Sequence, residues 1–412
     1  EIIEGLQKSA NIIPAKTGAA FLRTIWLKAD SGALSVMSTD SNLEFCGFYP
    51  SVIQEEGLAG VQGRAFYDLV RKLPAGSEIT LRTDAEKQNL LVEQGARKYK
   101  LPVNDPEWFQ KFSAFPENGT IFWSGDLLNE IIDKVAFCVS DEDSMEAIAC
   151  LYMLPSQAGP MDEGKRVEVC GLNGHQFAMF SFINDDVHAL LPEEGILIQK
   201  KYILELKKWL SGDEIELSIS NKRLFFRTGD KKETFSLPLS YYQYPNFRGF
   251  LTKLQEQGSS NLRSKRGEMI DALERITIFN TDTNRCTYFT FRPEETILSS
   301  QGQEMGTATE TLESSFSGSI PHIAFPTKNL IEILNHFGSE NVSFVLTGPE
   351  APCGITGEND PDYLVILMPM MIQEETYYSE PSMSDQTQHH NGYNADSITV
   401  LEGLSAVRKR PA

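Results

Sequence analysis

No apolar run in the 412 residues approaches the roughly 18 residues that a membrane-spanning helix needs, so no membrane segment is expected. Cysteine is sparse and scattered. Cys46, Cys138, Cys150, Cys170, Cys286 and Cys353 show no C-x-x-C spacing, which argues against a zinc site or disulfide scaffold and for reduced thiols in a cytosol. A Walker-type Gly-rich loop is also missing, and with it a cradle for phosphate chemistry. Among six histidines, His175 in Leu172-Asn173-Gly174-His175-Gln176-Phe177-Ala178 is the most conspicuous. It has no accompanying Ser or Cys motif and no H-x-x-x-H pair, so it reads first as a structural or turn residue. The acidic cluster Asp141-Glu142-Asp143 lacks the D-x-D-x-D-G pattern of a calcium loop. Catalysis, metal and cofactor are therefore not expected. The chain opens at Glu1 inside a helical pattern, with neither an initiator Met nor a signal-peptide pattern, and the first few residues are expected to be missing.

Basic residues are the other shortage, with 37 Lys and Arg against 57 Asp and Glu and a formal charge of −20. Such a balance ordinarily argues against a nucleic-acid partner, because neutralising phosphates takes a basic surface. Charges farther apart than about 8 Å are largely screened at physiological salt, however, so location outweighs the sum.

What the chain does have is one script written three times: an apolar strand, an amphipathic helix, a Gly or Ser turn and a second strand. The copies run through Asp68–Leu81, Glu205–Leu217 and Glu332–Phe344, roughly 130 residues apart, a spacing that suits one small domain each. Each unit is expected to hold two helices and several antiparallel strands, an α+β domain with helices on one face of a sheet. The expected boundaries are 1–117, 118–252 and 253–375. Expected helices include Gly63 to Leu73, about Gly125 to Cys138, Lys200 to Leu210, Glu268 to Phe279 and Lys328 to Phe337.

A modest basic excess gathers on these helices. Arg64, Arg71 and Lys72 outweigh Asp68, and Lys200, Lys201, Lys207 and Lys208 outweigh Glu205, whereas Lys328 is offset by Glu332. Arg263, Lys265, Arg266 and Arg275 surround the opening helix of the third unit. Ordinary solvated helix faces would read the same way.

The stretch Tyr363-Leu364-Val365-Ile366-Leu367-Met368-Pro369-Met370-Met371-Ile372 admits two readings. It is either a buried final strand or an apolar groove whose Met side chains mould to varied partners. Pro369 cannot donate to a ladder, so the end must lie at an edge or leave the sheet. Residues 376–412 are polar and expected to be disordered, closing with a short amphipathic helix capped by Asp396.

The threefold architecture, the Asn173-Gly174-His175-Gln176-Phe177-Ala178 stretch, the Tyr244-Pro245-Asn246-Phe247 turn and the Leu367-Met368-Pro369-Met370 ending resemble the bacterial sliding clamps, the beta subunits of DNA polymerase III, over residues 1–375. The resemblance implies a non-enzymatic processivity factor, a head-to-tail homodimer whose six domains close a ring around duplex DNA, with helices lining the hole. It offers Lys16, Arg64, Arg71, Lys72, Lys200, Lys201, Lys207, Lys208 and Arg266 as contacts to the DNA backbone. It also implies a peptide pocket lined by Ile148, Leu172, Gly174, His175, Gln176, Phe177, Pro245, Phe250, Ile366, Leu367, Met368, Pro369 and Met370. The DNA polymerase III alpha subunit, the clamp loader and other proteins with clamp-binding motifs would dock there. Tyr99 facing Ile278 and Phe279 would form the dimer seam.

Two departures from the family pattern are visible. An Asp-Gly-His-Arg-Leu core becomes Asn173-Gly174-His175-Gln176-Phe177, and a terminal Arg-Leu becomes Met371-Ile372. The tail from Met383 resembles the opening of the ATP-binding subunit of DNA gyrase and stops before any ATP-binding residue. Alternatives from other classes are a three-domain surface-binding or carbohydrate-binding protein and, for the tail alone, a fragment of an ATP-dependent topoisomerase.

Overall fold

The computed structural model describes residues 2–14, 19–142, 146–157, 163–212, 214–255, 258–281, 284–302 and 305–371. Lys16 and the gyrase-like tail lie outside the described residues. The chain divides into two compact units, one of residues 1–132, 153–167 and 183–241, the other of residues 133–152, 168–182 and 242 onward.

The first unit is built on an eight-stranded antiparallel sheet. Its spatial order is Gly57–Gln62, Thr24–Asp30, Ala33–Thr39, Glu44–Pro50, Glu233–Pro238, Arg223–Thr228, Glu214–Ser220 and Ile121–Ser124. Glu44–Pro50 and Glu233–Pro238 pair in the middle, with Phe45 opposite Phe235 and Cys46 opposite Thr234. Residues far apart in sequence thus share one continuous ladder. A separate three-stranded sheet joins Thr80–Thr83, Asn89–Gln94 and Arg97–Pro102.

Three helices cover the large sheet. Helix α1 (Ile2–Ile12) packs on Ala33–Thr39 and Glu44–Pro50 and touches both α2 (Gly63–Lys72) and the helix Lys200–Trp209. The Gln62 side chain accepts a hydrogen bond from the Ala65 N–H at 2.6 Å and so starts α2, which satisfies an otherwise orphaned donor. Phe66 and Val70, four apart, give α2 its buried stripe. In Lys200–Trp209 the stripe is Tyr202, Ile203, Leu206 and Trp209, the spacing of a helix with one apolar face. Burying a side chain such as Phe66, 0% exposed, contributes about 2–3 kcal/mol.

Beneath α1 lies a buried charge cluster. Lys8 Nζ donates to Glu233 Oε2 at 2.6 Å, and Tyr49 Oη donates to Glu233 Oε1 at 2.9 Å. The tyrosine fits only because two glycines leave space. A Cβ at Gly5 would stand 1.8 Å from Tyr49 Oη, and one at Gly47 2.6 Å from it.

In the second unit the sheet runs through Gln176–Ile183, Asp360–Leu367, Cys353–Gly357, Asn341–Leu346, Ser260–Lys265, Gly306–Ser317, Glu295–Gly302, Cys286–Phe291 and His322–Pro326. The helices Arg266–Thr277 and Thr327–Asn335 pack against each other over this sheet. Met269, Leu273 and Ile276 from one and Leu330, Ile333 and Leu334 from the other are buried.

This unit has its own charged knot. Lys134 Nζ lies 3.4 Å from Asp360 Oδ1 and 4.7 Å from the Tyr363 ring centroid, and Tyr363 Oη donates to the Lys134 carbonyl at 2.7 Å. Asp360 Oδ2 also accepts from the Gly338 N–H, the Ser339 N–H and the Ser339 hydroxyl.

Several elements differ from the sequence expectation. The helix expected from Glu268 to Phe279 runs Arg266–Thr277, and the one expected to end at Phe337 ends at Asn335. Two short helices, Asp185–Leu190 and Arg248–Leu254, and the strand Gln176–Ile183 were not expected. Asp185–Leu190 is started by the Asn184 side chain, which accepts from the Val187 N–H at 2.9 Å. The stretch from Tyr363 agrees with one of its two expected readings, a buried final strand: Asp360–Leu367 is the last strand described, Tyr363, Val365, Ile366 and Leu367 are buried, and it is paired on both sides. The ladder stops at Leu367, two residues before Pro369, as the missing N–H requires.

Candidate functional site

Four of the residues expected to line the peptide pocket, Gln176, Phe177, Ile366 and Leu367, meet in the second unit where Gln176–Ile183 pairs with Asp360–Leu367. Gln176 stands opposite Leu367 and Phe177 opposite Ile366. The local sequence sets this up. Asn173 Oδ1 accepts from the N–H groups of His175 at 3.1 Å and Gln176 at 2.9 Å, a side chain standing in for a turn carbonyl. Gly174 has φ +92°, a conformation that L side chains rarely adopt.

Past the last ladder pair, backbone groups hold the Met-rich end. The Met368 N–H donates to the His175 carbonyl at 3.0 Å and the Met370 N–H to the Ala324 carbonyl at 2.8 Å. Met368 is 3% exposed and Met370 half-buried.

Opposed residues in an antiparallel pair share a face, and successive residues alternate. Phe177 and Ile366 therefore share one face, and Gln176 and Leu367 the other. On the first face the Phe177 ring stacks on Phe247 at 5.2 Å, and the Arg248 guanidinium lies 4.8 Å from the Phe247 ring. Arg248 is anchored by both oxygens of Glu168. The helix Arg248–Leu254 packs on this face. A Cβ at Gly354, which pairs with Ile366, would come within 2.8 Å of Leu254 Cδ1.

On the other face Leu367 joins Val365 and Tyr363 in the core. Gln176 is 3% exposed, and its Oε1 has no hydrogen-bond partner among the described residues. Ile148 and Leu172 are core residues at 4% and 1% exposure. Pro245 and Phe250 are half-buried on either side of buried Phe247, and His175 is exposed.

Sequence reasoning missed Phe247, Arg248, Glu168 and Gly354. Phe247 had a signal, being part of the quoted Tyr-Pro-Asn-Phe turn. The other three depend on pairings that only the fold reveals.

The basic candidates divide by element. On α2 the Arg71 guanidinium is 2.7 Å from Asp68 and 5.3 Å from the Tyr67 ring centroid, while exposed Arg64 and Lys72 carry no ion pair among the described residues. On Lys200–Trp209, Lys208 is 2.7 Å from Glu205, and Lys201 lies 5.1 Å from the Tyr202 ring centroid. Lys200 and Lys207 are half-buried. Arg266 differs from the rest, because its Nε donates to the Ser339 carbonyl at 2.9 Å and a terminal nitrogen to the Leu334 carbonyl at 3.4 Å. Its guanidinium is engaged in holding the end of the helix Thr327–Asn335. Of the seam candidates, Tyr99 on Arg97–Pro102 is 37% exposed and Ile278 62%, with Phe279 half-buried.

Among the described residues no group of three or more His, Cys, Asp or Glu is placed to hold a metal ion, and no helix is long and apolar enough to cross a membrane. Burial pushes the Cys46 thiol up to about 12 and that of Cys286 up to about 11, far from the range of a reactive thiolate.

Comparison with known proteins gives concordant results. The family model described as the DNA polymerase III beta subunit, N-terminal domain, matches residues 1–113, and that of the C-terminal domain matches residues 255–371. The beta sliding clamp of Caulobacter vibrioides is 21% identical over 373 residues, covering 90% of this chain and 98% of the relative. A crystal structure of the sliding clamp from Bartonella birtlesii bound to griselimycin superposes with a TM-score of 0.80 at 22% identity, covering 89% of this chain and 96% of the other. The Caulobacter crescentus beta sliding clamp gives 0.82 at 20% identity, covering 90% and 97%. With family models matched at both ends, and relatives aligned along nearly their whole length, this chain belongs to the family of DNA polymerase III beta subunits, the beta sliding clamps.

Proposed function

We propose that this chain is a processivity clamp, a non-catalytic subunit that encircles duplex DNA as a homodimeric ring and tethers the replicative polymerase. The observation that carries this reading is the near-complete alignment with beta sliding clamps along the chain. Topology, rather than tight binding, would hold such a ring on DNA, so weak sequence-independent phosphate contacts suffice. That explains a chain of formal charge −20 that keeps basic residues on helices. Arg64, Arg71, Lys72, Lys200, Lys201, Lys207 and Lys208 are the proposed contacts. Lys16 belongs to the same proposal by its position in the sequence, and Arg266 is its weakest member because carbonyls occupy its guanidinium.

The reading treats the chain as three clamp domains, 1–117, 118–252 and 253–375, followed by residues 376–412. Tyr99 with Ile278 and Phe279 is the proposed dimer seam, and the site of action is the cytoplasm, at the nucleoid. The groove around Phe177, Ile366 and Met368 is the proposed docking place for short linear motifs of the polymerase alpha subunit, the clamp loader and other partners. Aromatic and aliphatic walls suit apolar anchors of such motifs.

Sedimentation at micromolar concentration, together with retention on circular and linearised DNA, tests the ring. A dimer that stays on closed circles and runs off after linearisation is expected, and a monomer without this topological difference would overturn the reading. For the groove, deleting Leu367 to Met370 should abolish binding of a clamp-binding-motif peptide while leaving the dimer intact. Unchanged binding would remove the assignment.

A further inference from the structure

The helices Gly63–Lys72 and Lys200–Trp209 each have ten residues, and both place an acid at the sixth position and a base at the ninth. Asp68 holds Arg71 and Glu205 holds Lys208, each at 2.7 Å. Both helices touch α1 in one layer over the same sheet. The helix Thr327–Asn335 carries Glu332 at its own sixth position, although its ninth residue is Asn335. The acid therefore recurs even where the base at that spacing does not.

Helix stability does not call for this arrangement. A carboxylate at mid-helix lies outside the first turn where the dipole favours it, and an exposed ion pair three residues apart adds little. In Glu205 the carboxylate is also partly desolvated, since Oε2 is buried without a hydrogen-bond partner among the described residues while Oε1 accepts from Lys208.

We propose that Asp68 and Glu205 are built-in counter-charges: they occupy Arg71 and Lys208, so a DNA phosphate gains these cations only by displacing a carboxylate that stays beside it. This rests on the DNA reading above. A phosphate held by Arg71 remains next to Asp68, and the repulsion shortens the contact. Because the base is already neutralised by its own helix, capturing it releases less condensed counterion from DNA, and the salt dependence of binding is correspondingly shallow. The two carboxylates act through the cations they hold and are positioning residues. Their effect is to keep the grip loose where a ring has to move along the duplex.

The test measures equilibrium binding of the full chain to a fluorescein-labelled duplex between 20 and 200 mM KCl, conditions chosen to span about one decade of salt. It compares the parent with Asp68→Asn, Glu205→Gln and the double variant. Asp30→Asn is the control, because it removes the same charge from the exposed Lys28–Asp30 pair, outside the proposed contacts. The single substitutions should each steepen the slope of log K against log salt by about 0.9, and the double variant should bind about tenfold more tightly at low salt. Asp30→Asn should leave both unchanged.

A double variant with the parent's slope, or a control variant that tightens binding as much, would overturn the proposal while leaving the DNA reading intact. If the parent binds duplex without salt dependence, and Arg71→Ala with Lys208→Ala changes nothing, the DNA reading fails and this inference with it. Far-ultraviolet circular dichroism confirms that the near-isosteric variants are folded, and the single variants carry the test if the double one is not.

Discussion

The two units each bury a lysine, a carboxylate and a tyrosine, and they wire them differently. In the first, Tyr49 and Lys8 both donate to Glu233, one to each oxygen. In the second, Tyr363 bypasses the carboxylate. Its hydroxyl reaches the Lys134 carbonyl, its ring lies under the same lysine's ammonium, and Asp360 turns its other oxygen to Ser339 and Gly338. The first cluster depends on side chains and on two glycines that leave room for a ring. The second is tied largely to backbone groups, which no substitution except one to proline removes. Side-chain networks should therefore fail abruptly when one member is lost, and backbone-anchored ones should lose stability by degrees.

The largest effect is expected from Lys8→Met. It leaves Glu233, whose side chain is 8% exposed, without its cation, and urea unfolding should register a loss of about 3–4 kcal/mol. Gly5→Ala follows at about 2–3 kcal/mol, because the clash with Tyr49 outweighs the gain of about 1 kcal/mol in helix propensity. Next comes the direct comparison of the two tyrosines. Tyr49→Phe should cost about 2 kcal/mol, since a buried carboxylate oxygen loses its donor, and Tyr363→Phe about 1 kcal/mol, since a neutral carbonyl does. Equal losses would remove the distinction between the clusters.

The smallest effect is in acid. Burial disfavours the charged form of Asp360, but the Ser339 hydroxyl and Lys134, with the Ser339 N–H, outweigh it and hold the carboxyl below the usual carboxylate range. A depressed folded value means stability present above the unfolded pKa and lost as pH falls through the folded one. Asp360→Asn should accordingly flatten the stability profile below about pH 4, measured as urea midpoints at stepped pH.

Much of this was legible in the sequence because it is local. Phe66 and Val70, or Tyr202 and Leu206, announce a helix by their four-residue spacing, and Pro74 announces its end. The strand Gln176–Ile183 was not legible, since Phe177, Ala178, Met179 and Phe180 form an apolar run without alternation, and its partner lies nearly two hundred residues away. The consequences of pairing were equally hidden. Nothing in the order Gln176-Phe177 says that the first turns to the core side and the second toward Phe247. Arg266 shows the same limit for charge, because the carbonyls that engage it come from Leu334 and Ser339. A local rule counts a cation and cannot see what already holds it.

The Met-rich end is stitched to its neighbours through the amides of Met368 and Met370, and any residue but proline supplies such an amide. Side chains along this rim are thus released from the task of keeping the rim in place. Substitutions at Met371 or Phe177 should therefore alter what the proposed docking groove favours while the chain path persists. The rim behaves as a fixed frame with replaceable panels, so side-chain substitutions there should leave structural integrity largely untouched.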